Sequence, residues 1–305
     1  MPLKPLPRLS VPSFLALGAV ALAGALLHQG TDAARTITNY AAPAVTMDIV
    51  PISVVQDGNK LVKVRAVSEM THLVPGETNW IGLGFTVSRD WHIYWRNPGT
   101  GMPTSWELEN APAGITLGDA VWPTPERYET QFGIDFVYHG RAFVMIPVEV
   151  SQDVAKLDEV TLEIKANWLV CKEICVPGQG TAVLTLPVAK DGAKAEKDSA
   201  ARAFERARKE APQVVEDLEK AGIEATVGRA LTITKKGATE MTFFPYENED
   251  NVLPNEGKDD LAKKGDTLVI RYPGNDLAVV EEIRGVLVTK ENNEEKRYEL
   301  TIPVR

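Results

Sequence analysis

The sequence predicts a mainly β protein: a β-sandwich, then a helical linker, then a second, smaller β-rich domain. Three observations carry that expectation. From about Val45 to Val188, short apolar or alternating runs are separated by turn signals. From Ala189 to Lys220, Lys, Ala, Glu and Asp dominate, with apolar residues at three- and four-residue steps. From Ile223 to Arg305 strand-like runs return. The expected parts are an export segment over 1–33, the sandwich over 45–188, the linker over 189–222 and the second domain over 223–305.

In the first part, Lys4 and Arg8 precede an uncharged apolar run from Val11 to Leu27, and small residues follow at Ala33 and Ala34. This pattern is expected of a signal peptide or an N-terminal membrane anchor, so the remainder is expected outside the cytoplasm, in the periplasm. It would be soluble after cleavage or held by the anchor. The sandwich is read from Leu61–Ala66, Asn79–Val87, Ala142–Val150, Val160–Ala166 and Thr181–Leu186. Pro75-Gly76, Asn97-Pro-Gly99 and Ala111-Pro-Ala-Gly114 punctuate these runs.

In the linker Phe204, Ala207, Ala211, Val214, Val215 and Leu218 line one face of a helix. Pro212 is expected to kink it or start a second helix, and Gly222 to cap its end. The second β region is read from Ala230–Thr234, Glu240–Phe244, Thr267–Arg271, Gly285–Thr289 and Tyr298–Ile302. Acidic loops are expected over Glu247–Asn251 and Asn255–Asp260.

The chain of 305 residues carries 33 Lys plus Arg against 42 Asp plus Glu, a net charge of -9, which offers a phosphate backbone little to hold. Nucleic acid is therefore not an expected partner. Its two cysteines, Cys171 and Cys175, are too few for a disulfide scaffold or a four-thiolate zinc site. They flank three residues of an expected hairpin turn, where positions i and i+4 face each other within disulfide reach. A bridge closing so short a loop restricts the unfolded chain little, which makes stability a weak reason for it.

Spacing alone leaves three readings of the pair: redox exchange, an inert bridge and metal binding. A soft copper(I) site would need further ligands, and the candidates His72, His92 and His139 are scattered in sequence. Aromatic residues gather at Trp91-His-Ile-Tyr-Trp95 and Trp122-Pro-Thr-Pro-Glu-Arg-Tyr128, with Trp168 just before the first cysteine. They read either as core and ordered loop or as a shield over the thiols. In the second reading Tyr94 hydrogen-bonds a thiolate and Glu126 takes a thiol proton through water.

Four segments in order, Gly82-Leu-Gly-Phe85, Trp91-His-Ile-Tyr-Trp-Arg-Asn-Pro-Gly99, Trp122-Pro-Thr-Pro-Glu-Arg-Tyr128 and Trp168-Leu-Val-Cys-Lys-Glu-Ile-Cys-Val-Pro-Gly178, resemble the N-terminal periplasmic domain of the thiol:disulfide interchange protein DsbD, particularly its ScsB-like relatives. Phe243-Phe-Pro-Tyr246 and Gly285-Val-Leu-Val288 look like a second periplasmic segment of the ScsB-like proteins. The resemblance implies an immunoglobulin-like sandwich whose cysteine pair takes electrons from a membrane-embedded partner and hands them to oxidised periplasmic thiol proteins. Cys171 and Cys175 would be the exchanging pair, Tyr94 and Trp168 would support the site, and Glu126 with Tyr128 would lie in a loop that caps it. No cofactor or metal is implied.

Family members continue into a multi-helix membrane domain and a thioredoxin-like domain. The expectation here is therefore a separate membrane electron donor of DsbD or ScsB type, with thioredoxin-like or disulfide isomerase proteins as acceptors. The alternative from another class is a non-enzymatic interaction or copper-binding module of the periplasm.

Overall fold

The computed structural model describes residues 57–131, 133–190, 195–228, 230–246, 261–271 and 281–304. The expected export segment and both expected acidic loops lie outside these residues. After a single helical turn, α1 (Gly58–Leu61), the chain runs through β1 (Val62–Ser68), β2 (Thr78–Val87), β3 (His92–Tyr94), β4 (Ser105–Leu108) and β5 (Ile115–Leu117). It continues through β6 (Glu126–Thr130), β7 (Gly133–His139), β8 (Arg141–Val150), β9 (Glu159–Cys171) and β10 (Cys175–Pro187).

Two sheets result, ordered β1-β2-β8-β5 and β10-β9-β3-β7-β6, with β4 also paired to β9. Strict alternation in β9 buries Val160, Leu162, Ile164, Ala166, Trp168 and Val170 against Ile81, Leu83, Phe85, Val144, Ile146 and Val148 of the facing sheet. The odd-numbered residues of β9 therefore face away from the sandwich core, and Cys171 is among them.

Helix α2 (Ala201–Glu210) is shorter than the sequence pattern suggests. Ala211 is extended, as the residue before a proline prefers, and Gln213–Val214 form the short strand β11 instead of a second helix. The helix is held by Phe204, fully buried against Phe143 at 5.2 Å, and by Arg208, whose guanidinium donates to both Glu69 oxygens at 2.5 and 2.6 Å.

The remaining strands are β12 (Ile223–Val227), β13 (Ala230–Lys235), β14 (Ala238–Pro245), β15 (Leu261–Lys264), β16 (Thr267–Arg271), β17 (Glu282–Glu291) and β18 (Glu294–Pro303). They form the sheets β11-β18-β17-β14 and β12-β13-β16-β15. Where β14 pairs with β17, the first of these is buried on both faces. Phe243 and Leu287 enter the core of the second β region, whereas their neighbours Phe244 and Val286 join the sandwich core. Trp95, directly after β3, meets Phe244 at 6.3 Å, Tyr246 at 5.6 Å and Phe136 at 6.0 Å. Asn97 Nδ2 donates to Pro245 O at 2.8 Å across the same junction. The described residues belong to one compact unit, and none of their helices is long and apolar enough to cross a membrane.

Candidate redox site

The hairpin between β9 and β10 brings Cys171 and Cys175 directly opposite each other, with Cα atoms 4.1 Å apart and the sulfurs bonded. Lys172 N donates to Ile174 O at 3.0 Å and closes the three-residue turn. The two cysteines differ sharply in surroundings. Cys171 is 2% exposed, whereas Cys175 and the turn residues are exposed, Ile174 at 58%.

Burial of Cys171 follows from the short strand β3, which lies between β9 and β7 in the same sheet. Its register sets His92 opposite both Cys171 and His139, and Tyr94 opposite Val137. Tyr94, Val137 and Cys171 form a small apolar cluster with Leu169 on the outer face of the sheet. There the Tyr94 hydroxyl donates to Cys171 Sγ at 3.2 Å and lies 4.0 Å from Cys175 Sγ. Burial, reinforced by Asp135 and Tyr128, pushes the Tyr94 phenol up to about 12. Tyr94 thus stays protonated and keeps a donor aimed at the sulfur.

Tyr94 is covered by the segment that follows β3. A Cβ at Gly101 would stand 2.2 Å from its ring, so the backbone itself rests on the phenol. Gly99 adopts φ +72°, and its missing Cβ would meet Ile134 O at 2.1 Å, which makes glycine necessary there. Asp135 anchors the segment by accepting from Thr100 N at 2.8 Å and Thr100 Oγ1 at 2.7 Å.

The sequence-derived residues fare differently. Glu126 and Tyr128 lie on strand β6, paired with Val137 and Asp135, not in a capping loop. The cover over Tyr94 comes instead from residues 99–101. Tyr128 packs 5.2 Å from the His92 ring and 5.7 Å from His139, and Glu126 Oε2 lies 3.0 Å from His139 Nδ1. Trp168 stands three residues before Cys171, an odd step that puts it on the opposite face of β9. Its ring lies in the sandwich core 6.3 Å from Phe85, and its Nε1 donates to Gly58 O at 3.2 Å. Trp168 braces the strand and does not line the disulfide. Lys172 is neutralised by Asp90, 3.6 Å away on the surface.

His92 and His139 read as scattered in sequence, yet the register sets them side by side, with ring centroids 5.3 Å apart. His92 is 4% exposed, and its Nε2 has no hydrogen-bond partner among the described residues. Burial first, then His139, pull its pKa down to about 4, with Asp135 and Glu126 acting in the opposite sense. Since the unfolded chain binds this proton near the ordinary 6.5, the stability tied to neutral His92 is complete above that pH. It is lost as pH falls from about 6.5 through about 4. The expected loss is on the order of 2 kcal/mol after allowance for solvent screening. Melting curves of the oxidised protein across this window check it, because His92→Gln should flatten the acid slope.

Residues 58–187 match the family model described as thiol:disulfide interchange protein DsbD, N-terminal. Among solved structures, the N-terminal periplasmic domain of ScsB from Proteus mirabilis is similar in fold, with a TM-score of 0.54. It is 15% identical, over 81% of this chain and 95% of that one. The periplasmic chaperone SfaE aligns at 12% identity over 76% of this chain and 98% of its own, with a TM-score of 0.20. No curated protein sequence matches the chain.

Proposed function

We propose that this protein, whose residues 58–187 are a DsbD N-terminal-like domain, is a periplasmic thiol:disulfide exchange protein working through Cys171 and Cys175. In this reading it takes electrons from a membrane donor of DsbD or ScsB type and passes them to oxidised thioredoxin-like or disulfide isomerase proteins. The observation that carries it is the asymmetry of the pair, an exposed Cys175 bonded to a buried Cys171 that accepts a hydrogen bond from Tyr94.

The chemistry follows from that asymmetry. A donor thiolate attacks Cys175 Sγ, the Cys171–Cys175 bond breaks, and Cys171 leaves as a thiolate stabilised by the Tyr94 hydroxyl. The donor's second thiol then resolves the mixed disulfide and leaves the dithiol. In the forward half, Cys175 attacks the target's disulfide and Cys171 closes back on Cys175, so two electrons move to the target. Glu126 and Tyr128 flank this chemistry from β6, and Trp168 holds β9 in place from the core.

The reduction potential of the pair tests the proposal. Equilibration of the purified protein in graded thiol buffers, with trapping of free thiols, should give a midpoint between about -270 and about -120 mV, the range of exchanging pairs. A midpoint below about -300 mV would mark an inert bridge and sink the reading.

A further inference from the structure

The orphaned nitrogen of His92 points beyond the roles assigned so far. An imidazole buried to 4% exposure with Nε2 unpartnered among the described residues serves packing less well than an apolar ring would. Its position is specific. The antiparallel register sets it directly across from Cys171, a placement that brings side chains on one face to within about 5.5 Å at their Cβ atoms. It also stands edge-on to Tyr94, the residue already bonded to Cys171 Sγ, at 5.3 Å between rings.

We propose that His92 is the proton acceptor for the Cys171 thiol, and that His139 with Glu126 connects it to solvent. This rests on the exchange reading above. When Cys175 carries a mixed disulfide with a target, Cys171 must lose its proton before it can attack. The S–H proton passes to His92 Nε2 and Cys171 Sγ bonds to Cys175 Sγ. The bond from Cys175 to the target sulfur breaks, and the target leaves as a thiolate. The target's disulfide has then gained two electrons, the pair has lost two, and the proton sits on imidazole.

The surroundings suit that transfer. In the oxidised state burial keeps the ring neutral, which leaves one ring nitrogen without a proton, and the unpartnered Nε2 is the acceptor in the tautomer protonated at Nδ1. Opening the bridge adds the missing partner, since a thiolate at Cys171 favours an imidazolium across from it. The groups facing His92 are Tyr94 on its own strand, Cys171 on β9, His139 and Asp135 on β7, and Glu126 and Tyr128 on β6. Of these, His139 and Glu126 form a contact at 3.0 Å with side chains open to water, which supplies an exit for the proton. The pair Lys172 and Asp90 lies at the hairpin turn.

The test is the ultraviolet thiolate absorbance of the reduced full chain from about pH 4 to about pH 10, with its rate of oxidation by a small aromatic disulfide. Cys175→Ser isolates the Cys171 signal. His92→Gln is expected to raise the Cys171 midpoint by about one unit and slow ring closure about tenfold at neutral pH. Glu126→Gln, on an exposed side chain that the fold does not depend on, should move the profile the same way by less. Superimposable profiles for wild type and a folded His92→Gln overturn the proposal. If His92→Gln does not fold, superimposable profiles for wild type and Glu126→Gln overturn it. The partner reaction is read separately. If His92→Gln shifts the profile but the wild type fails to exchange with an oxidised thioredoxin-like protein, the proton role stands and the exchange reading is overturned.

Discussion

Trp95→Ala is expected to destabilise the protein by about 3–5 kcal/mol, the range for truncating a fully buried large aromatic. Trp95 is 1% exposed and touches ring systems from both β regions: Phe136 of the sandwich, and Phe244 and Tyr246 at the end of β14. Its walls belong to two separate sheets and cannot collapse together into the space left behind, which places the cost toward the upper end. Its Nε1 has no partner among the described residues, so the loss is one of packing and dispersion alone. Arg96, 4.4 Å above the Tyr246 ring, and Asn97 then hold the junction without its centre. Urea unfolding measures the change. Val214→Ala, at an exposed position, serves as the control and is expected to stay within about 0.5 kcal/mol. A Trp95→Ala loss below about 1 kcal/mol would mean that the junction contributes little to the fold.

What could be read from sequence divides along physical lines. The long strands β2, β8, β9, β10, β17 and β18 each contain an alternating or apolar run that the sequence shows, although the runs over 160–166 and 181–186 cover only about half of β9 and β10. β3 and β7 did not stand out, since β3 has three residues, all buried, and β7 is buried continuously from Ile134 to Tyr138. A strand covered on both faces has no alternation to detect. That blind spot fell on the site itself, because β3 and β7 carry His92, Tyr94, Asp135 and His139. Their convergence is a matter of register, which no local pattern contains.

Other features were within reach of the sequence. The odd step between Trp168 and Cys171 separates them on any strand. The adjacent pair Phe243 and Phe244 points to a sheet buried on both sides. Gly99, read only as a turn residue, and Gly101 mark where backbone must approach β7 and the Tyr94 ring. In the linker, helical spacing persists past Pro212, but the proline pushes Ala211 out of helical geometry, and pairing of Gln213–Val214 with β18 takes over.

The contrast in burial between the two cysteines leads to an expected difference between their single variants. In the proposed exchange, a docked partner reaches Cys175, which is exposed, before Cys171, which lies beneath Tyr94 and is 2% exposed. Cys171→Ser therefore retains the attacking sulfur and loses the resolving one. Mixed with an oxidised thioredoxin-like protein that itself keeps only its attackable cysteine as an activated disulfide, it should accumulate a covalent adduct approaching one per chain. Cys175→Ser keeps only the buried thiol and should form little adduct on the same timescale, while turnover falls to background in both. Tyr94→Phe in the Cys175→Ser background should raise the Cys171 thiol pKa, because the hydroxyl donated to that sulfur is gone. Non-reducing electrophoresis with mass spectrometry reads the adducts. Equal trapping by the two cysteine variants would show that the covering segment opens before exchange, and attack would then no longer be assigned to Cys175.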